Sequence, residues 1–167
     1  MFGTGATKKQ FTTSDGVELS YFEAGSSHPL IMIHGWSQTA EQWHNQINHF
    51  ADSHRVLALD LRGHGQSAKP DFGYCIYRFS KDLCDLIVEL GLGDMVLMGH
   101  SMGCSVIWGY YDLFGVEGIA KIVFAVSASC KPMACKIDIC LCNTGSIRPL
   151  ARFAPQSATS LKSARTF

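Results

Sequence analysis

The chain has 167 residues, 47% hydrophobic and 17% charged, and its 14 Lys and Arg are matched by 14 Asp and Glu. This length and composition fit one globular domain with a substantial core and exclude a disordered or fibrous chain. The balanced charge, with no run of one sign, gives neither the basic footprint of a nucleic-acid binder nor a patch for anionic membranes, and no apolar run approaches the ~18 residues of a membrane span.

Residues 1–10 lack an apolar segment behind a basic cluster, so the expectation is a soluble, cytoplasmic protein. Phe11-Thr12-Thr13 and Val17 to Glu23 alternate around Ser14-Asp15-Gly16, the signature of a β-hairpin. Pro29 to Ile33 is a continuous apolar run that reads as a strand buried on both faces, ending in His34-Gly35-Trp36. Trp43, Ile47 and Phe50 fall at helical spacing over 39–50, with Ser37 or Thr39 as candidate cap. Arg55 to Asp60 is a second buried strand, opening into the loop Leu61-Arg62-Gly63-His64-Gly65-Gln66-Ser67. Phe79, Leu83, Leu86, Ile87 and Leu90 form one stripe of a helix over 74–90, which Gly91 and Gly93 stop. Then come an apolar strand from Met95 to Met98, a helix from about Met102 to Phe114, and a strand from Ile119 to Val126. Strands alternating with helices predict a doubly wound, mostly parallel α/β sheet.

From Cys130 the pattern changes. Four of the seven cysteines crowd into Cys130, Cys135, Cys140 and Cys142, while Cys75, Cys84 and Cys104 stand singly in or beside helices, as reduced thiols do. The crowded four lack the paired Cys-x-x-Cys spacing of a zinc site, so no metal is expected. Residues 1–129 read as the core and 130–167 as a Cys-rich, poorly ordered tail. With no strand pattern after it, the 119–126 strand is expected at an open sheet edge, leaving apolar surface exposed.

The stretch Gly99-His100-Ser101-Met102-Gly103 sits between the apolar 95–98 run and a helix. Gly-x-Ser-x-Gly in that place is a nucleophile elbow: the turn is so sharp that side chains flanking the serine would collide, and the strained serine is held out of the sheet. Its loop, the His34-Gly35-Trp36 loop and the 60–67 loop all follow carboxyl ends of strands, where open α/β sheets place their ligand sites.

In these three loops, in this order and over roughly residues 10–128, the chain resembles the α/β-hydrolase superfamily, and within it the cofactor-free haloperoxidase and esterase type of small serine hydrolase. The resemblance implies Ser101 as nucleophile on an acyl carbon, with the oxyanion held by the backbone N–H groups of Trp36 and Met102. The Trp36 and Met102 side chains would then line an acyl pocket. His34, Gly35, Gly99, His100 and Gly103 would support the loop and the elbow, with His100 packing beside the sheet. The serine separates the chain from epoxide hydrolases and haloalkane dehalogenases, which place an aspartate there. The implied substrate is a small ester, lactone or related acyl compound, with no cofactor, nucleic acid or membrane involved; the pattern specifies no oligomeric state.

The family triad continues from serine to an acid and then a histidine further along the chain. Here no histidine follows His100, and the only later acids are Asp112, Glu117 and Asp138. Two expectations result. Either the chain is a serine hydrolase whose base is unorthodox, His34 or His64 being the candidates, or it is the N-terminal part of one, cut short before the acid and base and inactive alone. His64, Asp60 and Arg62 otherwise read as structural groups of their loop.

Overall fold

The computed structural model describes residues 5–125 and 141–143. Seven strands form one sheet: β1 (Thr7–Thr12), β2 (Glu18–Ala24), β3 (His28–Ile33), β4 (His54–Leu59), β5 (Met95–His100), β6 (Ile119–Ala125) and β7 (Leu141–Asn143). Their order is β1-β2-β4-β3-β5-β6-β7. The central four, β4-β3-β5-β6, are parallel, and the antiparallel β1–β2 hairpin flanks them through β2 against β4. At the hairpin turn Gly16 takes φ +81°, and Thr13 and Val17 close the turn through the Thr13 N–H to Val17 carbonyl bond of 2.9 Å.

The parallel strands alternate their side chains across the two faces of the sheet. Ile31 and Ile33 of β3 and Leu57 and Leu59 of β4 join one buried cluster, whereas Leu30, Met32, Val56 and Ala58 join another. The first cluster is closed by α2 (Ile76–Glu89) and α3 (Met102–Phe114) through Phe79, Leu83, Leu86, Val106 and Ile107. The second is closed by α1 (His44–Phe50) through Ile47, together with Trp43 of the preceding 3-10 turn Ala40–Trp43. Helices thus cover both faces, as the alternating pattern predicts. Each fully buried Leu, Ile or Phe of these interfaces contributes on the order of 1.5–3 kcal/mol of transfer free energy.

Three expectations change in detail. The 39–50 helix is split into the 3-10 turn and α1, and Thr39 is the cap, its hydroxyl accepting from the Glu41 N–H at 3.3 Å. The 74–90 helix begins only at Ile76, because Tyr74 is drawn into the preceding loop by its hydroxyl's bond to the Pro70 carbonyl. The edge beyond β6 is not bare: β7 pairs with it antiparallel, Ile122 opposite Cys142, which satisfies part of the strand's backbone. Apolar surface does remain on the outer part of the sheet. Val96 and Met98 of β5 are only half-buried against the α1-side cluster, and Trp108, stacked on Phe124 at 5.3 Å, is 44% exposed. Of the crowded cysteines, for which no metal is expected, Cys130, Cys135 and Cys140 lie outside the described residues. Cys75, Cys84 and Cys104 are reduced, the Cys104 thiol donating to the Gly99 carbonyl at 3.2 Å.

Candidate active site

Register brings the three loops together. Ile33 is opposite Leu59 on one side and Gly99 on the other, so β4, β3 and β5 end in one row. The residues that follow, Asp60, His34-Gly35 and His100-Ser101, therefore leave the sheet side by side.

Ser101 joins β5 to α3 with φ +51° and ψ −114°, a conformation that costs a non-glycine residue about 1–3 kcal/mol. Two steric locks impose it. A Cβ on Gly99 would sit 2.7 Å from the Gly103 carbonyl carbon and 2.8 Å from the Cys104 nitrogen. A Cβ on Gly103 would meet the backbone of Ile33 and lie 2.9 Å from the His34 carbonyl oxygen. Glycine at both positions lets the helix start run against the ends of β3 and β5. The turn is then tied by the Ser101 N–H to the Ala125 carbonyl at 3.3 Å and the Cys104 N–H to the Ser101 carbonyl at 3.0 Å. The Met102 N–H lies in the first turn of α3, where helix geometry supplies no internal acceptor. Ser101 and Met102 are both half-buried, and the Met102 side chain packs against the α2/α3-side core.

The facing loop comes equally close. A Cβ on Gly35 would be 3.2 Å from the Ser101 Cβ. Trp36 is 66% exposed and meets His64 in a T-shaped ring contact, centroids 5.8 Å apart, so its side chain stands at the rim. A cavity of about 260 Å³ lies at the opposite end of the sheet, between Ala6, Ala24, Ile47 and Asp52.

His34 is fully buried and its two ring nitrogens are both committed. Nδ1 lies 2.7 Å from the Gly35 carbonyl, which only accepts, so Nδ1 carries the hydrogen; Nε2 accepts the Leu61 N–H at 3.0 Å. The ring bridges the ends of β3 and β4 in one neutral tautomer, and burial pushes its pKa below 6.5, offset only in part by the bond to Gly35. Of the two base candidates, His34 is thereby removed. His64 donates Nδ1–H to the Arg62 carbonyl at 2.9 Å and packs against His34 and Phe79, as a structural histidine of its loop does. His100 does not simply pack beside the sheet: its Nδ1 lies 3.0 Å from the Gln38 side-chain oxygen.

Asp60 and Arg62 do not pair with each other. The Asp60 carboxylate accepts the Ala40 N–H at 2.7 Å and the Gln66 N–H at 2.9 Å, closing its loop onto the 3-10 turn. The fully buried Arg62 guanidinium binds Asp82 of α2 in a two-pronged pair, 3.0 Å through Nε and 2.8 Å through Nη2, and reaches Asp15 of the hairpin turn at 2.9 Å. Burial alone would lower the Arg62 pKa; the bonds to Asp82 and Asp15 outweigh it, so its pKa is raised. In return Arg62 holds Asp15 down to about 2. The sequence reading missed Asp82, Asp15 and Gln38. Each sits far along the chain from its partner or in an unremarkable loop, and local pattern carries no trace of the pairing.

A parallel sheet with helices on both faces, and a serine strained into a turn between its central strand and a helix, define an α/β-hydrolase. The chain belongs to that family: the alpha/beta hydrolase fold matches residues 28–136. It is 38% identical over 122 residues to the non-heme chloroperoxidase CPO-A1 of Kitasatospora aureofaciens, an overlap of 72% of this chain and 43% of the relative. It is 37% identical over 132 residues to the soluble epoxide hydrolase of Corynebacterium sp. (strain C12), covering 74% of this chain and 46% of that one. Among solved structures it is similar to the bromoperoxidase from Bacillus anthracis, with TM-score 0.68 and 31% identity over 71% of this chain and 44% of that one. The chain thus spans about half the length of the relatives it matches. Among the described residues no helix is long and apolar enough to cross a membrane.

Proposed function

We propose that Ser101 is the nucleophile of an acyl hydrolase acting on a small ester, lactone or related acyl substrate, without a cofactor. The observation that carries this reading is the Ser101 backbone at φ +51°, ψ −114° between two glycines that the packing demands. Serine, and not a carboxylate, at this position favours acyl chemistry over epoxide opening, although both chloroperoxidase and epoxide hydrolase relatives match. In the proposed reaction Oγ adds to the acyl carbon as its proton passes to a base, and the oxyanion accepts the N–H groups of Trp36 and Met102. The tetrahedral adduct expels the protonated leaving group and leaves an acyl-serine, which water cleaves to the acid.

A second reading is favoured by a specific observation: no histidine follows His100 in the sequence, and His34 has no free ring nitrogen. In this reading residues 1–129 form the nucleophile-bearing part of the hydrolase core, and the acid and base come from polypeptide outside this sequence. Labelling with a fluorophosphonate and hydrolysis of a short-chain chromogenic ester, beside Ser101→Ala, test both. The proposal expects labelling confined to Ser101 and lost in the variant; labelling that survives Ser101→Ala refutes it. Turnover at the rate of an intact serine hydrolase refutes the second reading.

A further inference from the structure

Gln38 follows the His34-Gly35-Trp36 loop and is exposed, yet its side-chain oxygen has two close neighbours in different loops. The Gly35 N–H donates to Oε1 at 3.1 Å, and His100 Nδ1 lies 3.0 Å from the same atom. A backbone N–H can only donate, so the Gln38 atom facing it is the oxygen and not the amide nitrogen. An amide oxygen only accepts, so His100 Nδ1 carries the ring hydrogen. One acceptor therefore holds a donor from the His-Gly loop and a donor from the elbow.

The same residue grips Gly35 a second time. The Gln38 backbone N–H donates to the Gly35 carbonyl at 3.3 Å, and His34 Nδ1–H donates to that carbonyl at 2.7 Å. The Gly35 carbonyl and the Trp36 N–H belong to one planar trans peptide, so fixing the carbonyl direction fixes the N–H direction. His100 is bound to Ser101 and so to Met102 by consecutive peptides. The backbones leave little slack: a Cβ on Gly35 would lie 2.6 Å from Gln38 Oε1 and 3.0 Å from His100 Nδ1.

We infer that Gln38 is a positioning residue that sets the Trp36 N–H against the Met102 N–H by clamping the His-Gly loop to the elbow through Gly35 and His100. This inference rests on the reading of those two N–H groups given above. A hydrogen bond at an exposed site adds little to stability, so the role of Gln38 is one of register.

The test uses the full chain as wild type, Gln38→Leu, which keeps the bulk without the acceptor, and Gln38→Glu, which keeps the acceptor. Nitrogen-15 spectra at a pH where the ring is neutral are expected to show His100 protonated at Nδ1 in wild type and Gln38→Glu, and to lose that preference in Gln38→Leu. The backbone amide resonances of both Trp36 and Met102 are expected to move in Gln38→Leu, and fluorophosphonate labelling of Ser101 to slow about tenfold, the rate effect of ~1.4 kcal/mol of lost transition-state stabilisation. A wild-type His100 protonated only at Nε2 overturns the clamp. So does a Gln38→Leu protein whose Met102 amide and labelling rate match wild type. If Gln38→Leu does not fold, Gln38→Asn, one methylene short of both donors, is expected to give the same three changes, and its failure to do so overturns the inference. Wild type that does not label at all removes the reading of Ser101, while the tautomer and the amide resonances still decide the clamp.

Discussion

His34 gives the most direct test of how the site is held together. Replacing it by alanine removes a fully buried ring and leaves the Leu61 N–H without its acceptor, whereas the Gly35 carbonyl retains the Gln38 N–H. An unpaired buried donor costs about 1–3 kcal/mol, and the space left by a buried ring adds about 2 kcal/mol, so a loss of roughly 3–5 kcal/mol is expected. The pH dependence carries a sharper signature. The folded pKa of His34 is depressed below 6.5 by burial, so the unfolded chain takes up the proton first as pH falls. Stability from this group is therefore complete above 6.5 and declines as pH drops below it, at up to about 1.4 kcal/mol per unit, until the folded pKa is reached. Urea titrations followed by far-ultraviolet circular dichroism, at about pH 7.5 and about pH 5.5, measure both. In His34→Ala the midpoint should fall at both pH values and the difference between them should shrink. A cost below about 1 kcal/mol, or an unchanged pH difference, refutes the assignment of a locked neutral ring.

Asp82→Ala strips the buried Arg62 guanidinium of its two-pronged partner and leaves it Asp15 alone; a loss of about 3–5 kcal/mol is expected in urea, with Arg62→Met/Asp82→Leu costing less than the single change, and a harmless Asp82→Ala contradicts the buried pair. Ser101→Gly relieves the φ +51° strain and should raise stability by about 1 kcal/mol while abolishing labelling; a lower urea midpoint contradicts stored strain at the elbow.

Strands and helices were legible because their signal is periodic. The runs at 29–33 and 55–60 and the stripe from Phe79 to Leu90 each state a buried face directly, and the structure buries Ile31, Leu57, Phe79, Leu83 and Leu86 accordingly. The elbow was legible for a different reason: Gly99 and Gly103 are required by backbone atoms that any α/β elbow brings to the same place, so the requirement is written at fixed spacing. What frames the loops was not legible. Arg62 finds Asp82 twenty positions on and Asp15 forty-seven back, distances at which a charge pair leaves no local mark. Helix starts were displaced by capping and by the Tyr74 hydroxyl, both decided by single hydrogen bonds.

A general base must come within about 2.6–3.2 Å of the proton it removes, directly or through one water. His34 is closed at both nitrogens, His64 spends Nδ1 on the Arg62 carbonyl and His100 spends Nδ1 on Gln38. His54 bonds the Ser53 hydroxyl, His28 lies 3.7 Å from Asp94, and His44 and His49 are exposed on α1, which packs on the sheet face opposite α2 and α3. Every histidine near the elbow is thus engaged in holding loops in place. The elbow strain costs free energy whether or not a base is present, and in the proposed function it serves, with the two glycine locks and the Gln38 contact, to preorganise the oxyanion site. Triad enzymes stripped of their base retain about 10³–10⁴-fold catalysis over water from such a site and from binding alone. In the proposed chemistry that figure is what Ser101 retains without a base, and a faster reaction requires a proton acceptor at Oγ.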